Sequence, residues 1–242
     1  MRSEQSKRRA DAGRRPIGFV LAAVFLSIVA LAGLVLTVLR FAESDDTPAA
    51  GVGESGSAAK LDGSANCPTL DLQSTVVLTE LASAQWSMVG AVAAPHIQGV
   101  GPMEVSANGV PRCFAETPAG AVLAAANFIA FGTGRPDLGA ELAASAIVPG
   151  LGQNAAIEAA GAAPVSSPGA VQIAGYRLDR YDPQSTDIAL AVRADDGSLA
   201  SGDLVLKWSQ GDWKLIVDPG TGRLPELRTL ASLGGFTPWG IG

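Results

Sequence analysis

The sequence predicts an α+β protein with a single N-terminal transmembrane helix, followed by a domain of about three helices packed on a curved antiparallel sheet. Three observations support this prediction. An uncharged apolar run covers residues 17–39, apolar residues recur at helical spacing between residues 117 and 162, and polar and apolar residues alternate between residues 171 and 217. A run of helices followed by a run of strands is typical of α+β layer folds.

The apolar run over residues 17–39 contains no charged residue in 23 positions. A helix of that length measures ~34 Å, which is enough to cross a hydrocarbon core of ~30 Å. Six basic and two acidic residues precede the run, so the positive-inside rule places the N-terminus in the cytoplasm. A cleaved signal peptide is the alternative, and Arg14-Arg15 would suit a twin-arginine signal. The length of the run and the lack of a nearby small-x-small site favour a retained anchor.

Composition divides the chain into four segments: a basic cytoplasmic tail (1–16), the transmembrane helix (17–39), a flexible linker (40–68) and an extracytoplasmic domain (69–242). The linker is rich in Gly, Ser, Ala and acidic residues, which cannot bury enough surface to order the chain. Beyond residue 16 the chain carries 11 basic and 21 acidic residues. We expect the anchor to contact membrane lipid and the acidic remainder not to bind nucleic acid directly.

Helix signals begin with Thr117-Pro118, where Thr suits the N-cap and Pro the first helical position. Gly132 is the expected end of this helix. A second short helix is predicted after Pro136, ending before Pro149, and a third covers residues from about 153 to 162.

Strand signals are clearest after residue 170. A long strand is predicted over residues 171–181, with a β-bulge at Gly175, where the apolar side chains change face. Asp195-Asp196-Gly197 predicts a hairpin, and residues 209–212 predict a further turn. Earlier in the chain, residues 85–92 read as one strand, and the Gly- and Pro-rich stretch after it reads as an irregular loop with an Asn108-Gly109 turn.

Both cysteines, Cys67 and Cys113, lie outside the predicted membrane segment. An envelope location permits a disulfide, and two cysteines allow a single pairing. The alternative is two independent buried thiols.

Few residues carry a catalytic signal. His96 is the chain's one histidine, and no G-x-S-x-G or H-E-x-x-H motif accompanies it. Asp179 lies in a charged cluster at the end of the long strand, where a solvated strand end is the simpler interpretation. We therefore predict no catalytic residue, no cofactor site, no metal site and no enzymatic activity. The tryptophans Trp86, Trp208 and Trp213 are expected to pack in the core or on the sheet, with an aromatic ligand pocket as the alternative.

The C-terminal tail is apolar. Leucines recur every third residue from Leu224 to Leu233, and Phe236 and Trp239 follow. The tail either folds back on its own domain or docks on a partner, with Phe236 and Trp239 as the candidate contacts.

Two sets of residues carry a resemblance to known families. The order of three helices and a meander, ending in KWSQGDWKLIV, resembles the NTF2-like (cystatin-like) fold. Gly101-Pro102, GVPRCFA from Gly109, TPAGA from Thr117 and GFTPWG from Gly235 look like a family of membrane-anchored actinobacterial proteins associated with conjugative or integrative elements.

The whole architecture is also similar to inner-membrane assembly factors of type IV secretion systems. The resemblance implies a non-enzymatic, membrane-anchored scaffold in an envelope complex, with protein partners there and a homo-oligomer as a further expected state. The alternative is an extracytoplasmic NTF2-like module that binds a small molecule or lipid.

Overall fold

The computed structural model describes Cys67, residues 78–162 and residues 171–241. These residues belong to the unit Val52–Gly242. The predicted basic tail, the predicted transmembrane helix and the linker up to residue 66 precede the described residues. Pro68, the last residue of the predicted linker, also lies outside them.

The described residues form three α-helices, two short 3-10 helices and ten strands. The α-helices are α1 (Pro118–Gly134), α2 (Gly139–Ala146) and α3 (Leu151–Ala162), and the 3-10 helices are Leu78–Ser83 and Pro136–Leu138. The strands are β1 (Gln85–Val89), β2 (Val92–His96), β3 (Glu104–Val105), β4 (Pro111–Arg112), β5 (Val171–Asp182), β6 (Ser185–Ala194), β7 (Leu199–Ser209), β8 (Asp212–Ile216), β9 (Arg228–Leu230) and β10 (Thr237–Pro238).

The main sheet is antiparallel, with strand order β10-β5-β6-β7-β8 and β9 paired to β7 beside β8. The pairing of β5 with β6 shifts register at Gly175, as the bulge signal predicts. A Cβ at Gly175 would lie 2.8 Å from the carbonyl oxygen of Thr237, so a side chain there would displace β10. Gln210 and Gly211, which join β7 to β8, both have positive φ angles, as a two-residue hairpin turn requires.

Helix α1 lies between the main sheet and the β1–β2 hairpin and is buried on nearly all sides. Thr117 caps it, its hydroxyl oxygen accepting the N–H of Gly120 at 3.0 Å. Asn127, buried in the middle, donates to the carbonyl oxygens of Pro95 and Leu123 at 2.9 Å. A helix that is apolar all round suits an interior position, and its many alanines let both layers approach closely.

The predicted fold class is wrong as stated. Among the described residues, no helix is both long and apolar enough to span a membrane, and the helix predicted over residues 17–39 lies outside them. The domain is mostly antiparallel sheet with few helices.

The domain contains more sheet than predicted because two hairpins were not recognised in the sequence pattern. Residues 85–92 are not one strand, because Gly90 turns the chain at φ +60° and β1 pairs back on β2. The stretch interpreted as a loop contains β3 and β4, which pair around Asn108-Gly109. Two-residue strands carry too few residues for an alternating pattern to be recognised.

The C-terminal tail folds back on its own domain. It adds β9 to β7, crosses the face of the sheet away from α1, hereafter the outward face, and adds β10 to β5. Leu230, Leu233 and Phe236 pack there against Ala189 and Ala191 of β6.

Trp239 ends the tail in an aromatic socket. Its ring centroid is 4.9 Å from that of Trp86 and 5.7 Å from that of Tyr176, and its Nε1 donates to the carbonyl oxygen of Leu81 at 2.7 Å. Phe236 and Trp239, named as candidate partner contacts, are instead buried in this domain.

Replacing Trp239 by alanine should lower the free energy of unfolding by about 3–5 kcal/mol, because the variant leaves a cavity between Trp86 and Tyr176. Chemical denaturation of the full chain measures this loss. Ile241→Ala, two residues on and 44% exposed, is the control and should change stability by about 0.5 kcal/mol or less. Equal effects of the two substitutions would show that the tail does not stabilise the domain.

Candidate functional site

A buried polar arrangement lies on β8, at the edge of the sheet. Three consecutive residues there, Asp212, Trp213 and Lys214, bind main-chain groups of two distant segments, and we call them the β8 latch. They are 2%, 0% and 1% exposed. Buried ionisable groups of this kind mark either a functional site or a structural network, so their partners decide which.

Asp212 binds the segment that precedes α1. Its carboxylate oxygens accept the N–H groups of Cys113 and Phe114, each at 2.9 Å, and Oδ1 also accepts the N–H of Trp213. Cys113 has a φ of +65°, a conformation that costs energy for a residue with a side chain. The two hydrogen bonds from residues 113 and 114 offset that cost by fixing the chain in this conformation.

Trp213 binds the next residue along that segment. Its Nε1 donates to the carbonyl oxygen of Ala115 at 2.8 Å, and its ring packs against Trp208 and Tyr181 at centroid distances of 5.4 and 6.1 Å. Trp86, Trp208 and Trp213 thus pack against the core, as predicted.

Lys214 binds the C-terminal end of α2. Its Nζ donates to the carbonyl oxygen of Ser145 at 2.5 Å, while Gln153 Nε2 donates to the carbonyl oxygens of Ala144 and Ile147. These carbonyls lack partners within the helix, and a positive group near them is favourable. The backbone completes the contact, because the N–H of Val148 donates to the carbonyl oxygen of Leu215.

Burial perturbs both ionisable groups of the latch. It raises the pKa of the Asp212 carboxyl above its usual range, against the opposing effect of the N–H donors and of Lys214. It lowers the pKa of the Lys214 ammonium, against the opposing effect of Asp212. Each side chain therefore has a reduced preference for its charged form, because desolvation outweighs the opposing interactions.

The structure joins Cys67 to Cys113 in a disulfide across 46 residues of sequence. Closing a loop of that length contributes roughly 3–4 kcal/mol in the chain-entropy model. Since Cys113 is also held by Asp212, the disulfide ties residue 67 to the β8 latch.

The remaining candidate residues lie apart from the latch. His96 ends β2 and is half-buried, and Asp179 is exposed and paired with Arg177 at 2.5 Å. No group of His, Cys, Asp and Glu with metal-binding geometry occurs within residues 78–162 and 171–241 or with Cys67. Asp212 and Lys214 were not predicted as site residues. The one available signal was that both flank a tryptophan in an alternating strand.

The outward face of the sheet carries an exposed apolar pair beside the latch. Val205 of β7 and Ile216 of β8 are direct cross-strand partners, and they are 36% and 43% exposed. Asp187 lies opposite Val205 on its other side. The tail covers the neighbouring part of this face over Ala189 and Ala191 and leaves the Val205–Ile216 pair accessible to solvent.

A family model described as "Domain of unknown function (DUF8175)" matches residues 48–238. The match covers the larger part of the chain, including every element from the first 3-10 helix to β10. No curated protein and no solved structure matches the chain.

Replacing Asp212 by alanine should destabilise the domain by about 3–5 kcal/mol, because the N–H groups of Cys113 and Phe114 would stay buried without an acceptor. Asp212→Asn should also destabilise it, by about 2 kcal/mol or more, because the amide keeps one acceptor oxygen but turns an NH2 group towards the other main-chain N–H. Denaturant unfolding measures both values. The exposed Asp137→Ala is the control and should change stability much less than either Asp212 variant, since ion pairs at the surface contribute little. Stability losses for the Asp212 variants no larger than the control's would contradict this role.

Lys214→Met should change how stability depends on pH. The pKa of Lys214 is lower in the folded than in the unfolded chain. The folded chain therefore binds fewer protons than the unfolded chain between that lowered pKa and the unfolded value of ~10.4. The wild-type free energy of unfolding should consequently rise relative to the variant's as pH rises from the folded-state pKa towards ~10.4.

Unfolding curves over that pH range test the expectation, and Arg223→Met, at an exposed position outside β7 and β8, controls for the loss of one positive charge. A difference between wild type and Lys214→Met that stays constant or decreases with rising pH would contradict it.

Proposed function

We propose that this chain, which belongs to the family described as a domain of unknown function (DUF8175), is a non-enzymatic scaffold component of an envelope complex. Its folded domain works outside the cytoplasm and binds other proteins of that complex. A conjugation or type IV secretion apparatus is the complex that best fits.

The observation that carries the proposal is how Asp212 and Lys214, the buried carboxylate and ammonium of the β8 latch, are used. A general acid, base or nucleophile must reach a substrate atom with its reactive group. Asp212 directs its carboxylate to main-chain N–H groups, and Lys214 directs its ammonium to a main-chain carbonyl. The groups best suited to chemistry by burial are thus committed to holding the fold.

The disulfide supports the location. Disulfides persist in oxidising compartments and are rare in the cytoplasm, and Cys67–Cys113 is tied into the centre of the domain's polar network. The excess of acidic residues beyond residue 16 also argues against nucleic acid as the partner.

The Val205–Ile216 pair supports a protein partner. Apolar side chains on the exposed face of a sheet are a common core for a protein interface when polar residues surround them. Lys207 and the ion-paired Asp187 flank this pair, which gives it a polar rim.

The link to conjugation rests on the resemblance of the motifs at residues 109–115 and 235–240 to membrane-anchored proteins of conjugative and integrative elements. In the structure, the first of these segments is held by the β8 latch and the second carries the tryptophan of the aromatic socket. Both therefore maintain the domain that presents the exposed pair.

Photo-crosslinking in intact cells tests the proposal. A benzophenone amino acid at position 205 or 216 should give crosslinked species of defined mass with protein partners. The same amino acid at Asp195, an exposed position in the β6–β7 turn, should not give these species. Uncrosslinked monomer at all three positions, or adducts of lipid or small molecules alone, would contradict a scaffold.

A further inference from the structure

The outer edge of β5 is open beyond β10. Among residues 78–162 and 171–241, β10 pairs with Gly175 and Tyr176, and no strand pairs with the outer side of the following residues, Arg177–Asp182. An open strand edge is a template for pairing with another strand. Natural edges are protected by charges, so the pattern of charges on this one determines what it can pair with.

The sequence of this edge, Arg-Leu-Asp-Arg-Tyr-Asp, is complementary to itself in the antiparallel direction. If two copies align about a two-fold axis between residues 179 and 180, every pair is favourable. Arg177 faces Asp182 of the second copy, Leu178 faces Tyr181, and Asp179 faces Arg180, and each pair occurs twice. Opposite charges and aromatic–aliphatic pairs directly across an antiparallel ladder are stabilising.

A β-bulge makes this alignment geometrically consistent. In a regular strand, residues 179 and 180 would point to opposite faces and could not be cross-strand partners. Here the register with β6 shifts between Leu178 and Arg180, so Asp179 is the extra residue. Asp179 pairs with Arg177 at 2.5 Å and Arg180 pairs with Asp187 at 2.9 Å, which places all four side chains on the outward face.

The remaining side chains also match in face. Leu178 and Tyr181 lie on the inner face, opposite Ile188 and Thr186 of β6, and both pack against the core. They would therefore meet on the inner face of the joined sheet while the charges meet on the outer one.

We propose that this protein forms a homodimer by antiparallel pairing of the β5 edges, Arg177–Asp182, of two copies. The interface is isologous, as a two-fold dimer requires. It joins the two main sheets into one continuous sheet, with the exposed Val205–Ile216 pair of each copy on the same outer surface. This dimer is independent of the scaffold function proposed above.

Two charge reversals test the interface on the full chain. Asp179→Lys would face Arg180 of a second identical copy, and Arg180→Glu would face its Asp179, so each variant repels itself. Sedimentation velocity should show the wild type as a dimer and each variant with a dissociation constant raised about tenfold or more. Mixed in equal amounts, the two variants should form a heterodimer, since the lysine introduced in one copy then faces the glutamate introduced in the other.

The mixing experiment separates loss of the interface from loss of the fold, because unfolded variants could not recover a dimer together. Asp137→Lys and Arg135→Glu make the same charge changes at an exposed ion pair outside β5 and should remain dimeric. A monomeric wild type, variants that stay dimeric like these controls, or a mixture that stays monomeric would each overturn the proposal.

Discussion

The carboxylate of Asp212 is the contact on which the rest of the structure depends. It accepts two N–H groups from a segment about 98 residues earlier in the chain and so fixes the point from which α1 enters the core. The same strand receives the end of α2 through Lys214. The edge strand β8 thus binds both the segment before α1 and the end of α2. Main-chain groups of these segments that would otherwise lack hydrogen-bond partners gain them.

This arrangement explains why Asp212 and Lys214 are buried, because their charged groups bind main-chain groups of neighbouring segments. A carboxylate among N–H groups and an ammonium at a helix C-terminus are favourable locally, but burying charge is costly. The network therefore contributes more to fixing the relative positions of β8, the segment before α1 and the end of α2 than to the free energy of unfolding. The disulfide at Cys113 extends the same fixed point to residue 67.

Local signals were sufficient for the elements whose geometry is set within a few residues. Thr117-Pro118 predicted the start of α1, Gly175 predicted a bulge, and the turns around Gly197 and Gly211 predicted hairpins, all of which the structure contains. The latch was not predictable in this way, because Asp212 and Cys113 are brought together only by the complete fold. The β1–β2 hairpin was missed because the turn at Gly90 was taken as part of one strand, and the remaining short strands were missed because they have two or three residues each.

Hydrogen exchange at the amides of Cys113 and Phe114 tests the central claim most directly. If Asp212 holds this segment as part of the core, both amides should exchange only through global unfolding, with the same protection as amides of β6. Rapid exchange of these two amides while β6 remains protected would show that the segment opens independently, and the β8 latch could not then be the contact on which the fold depends.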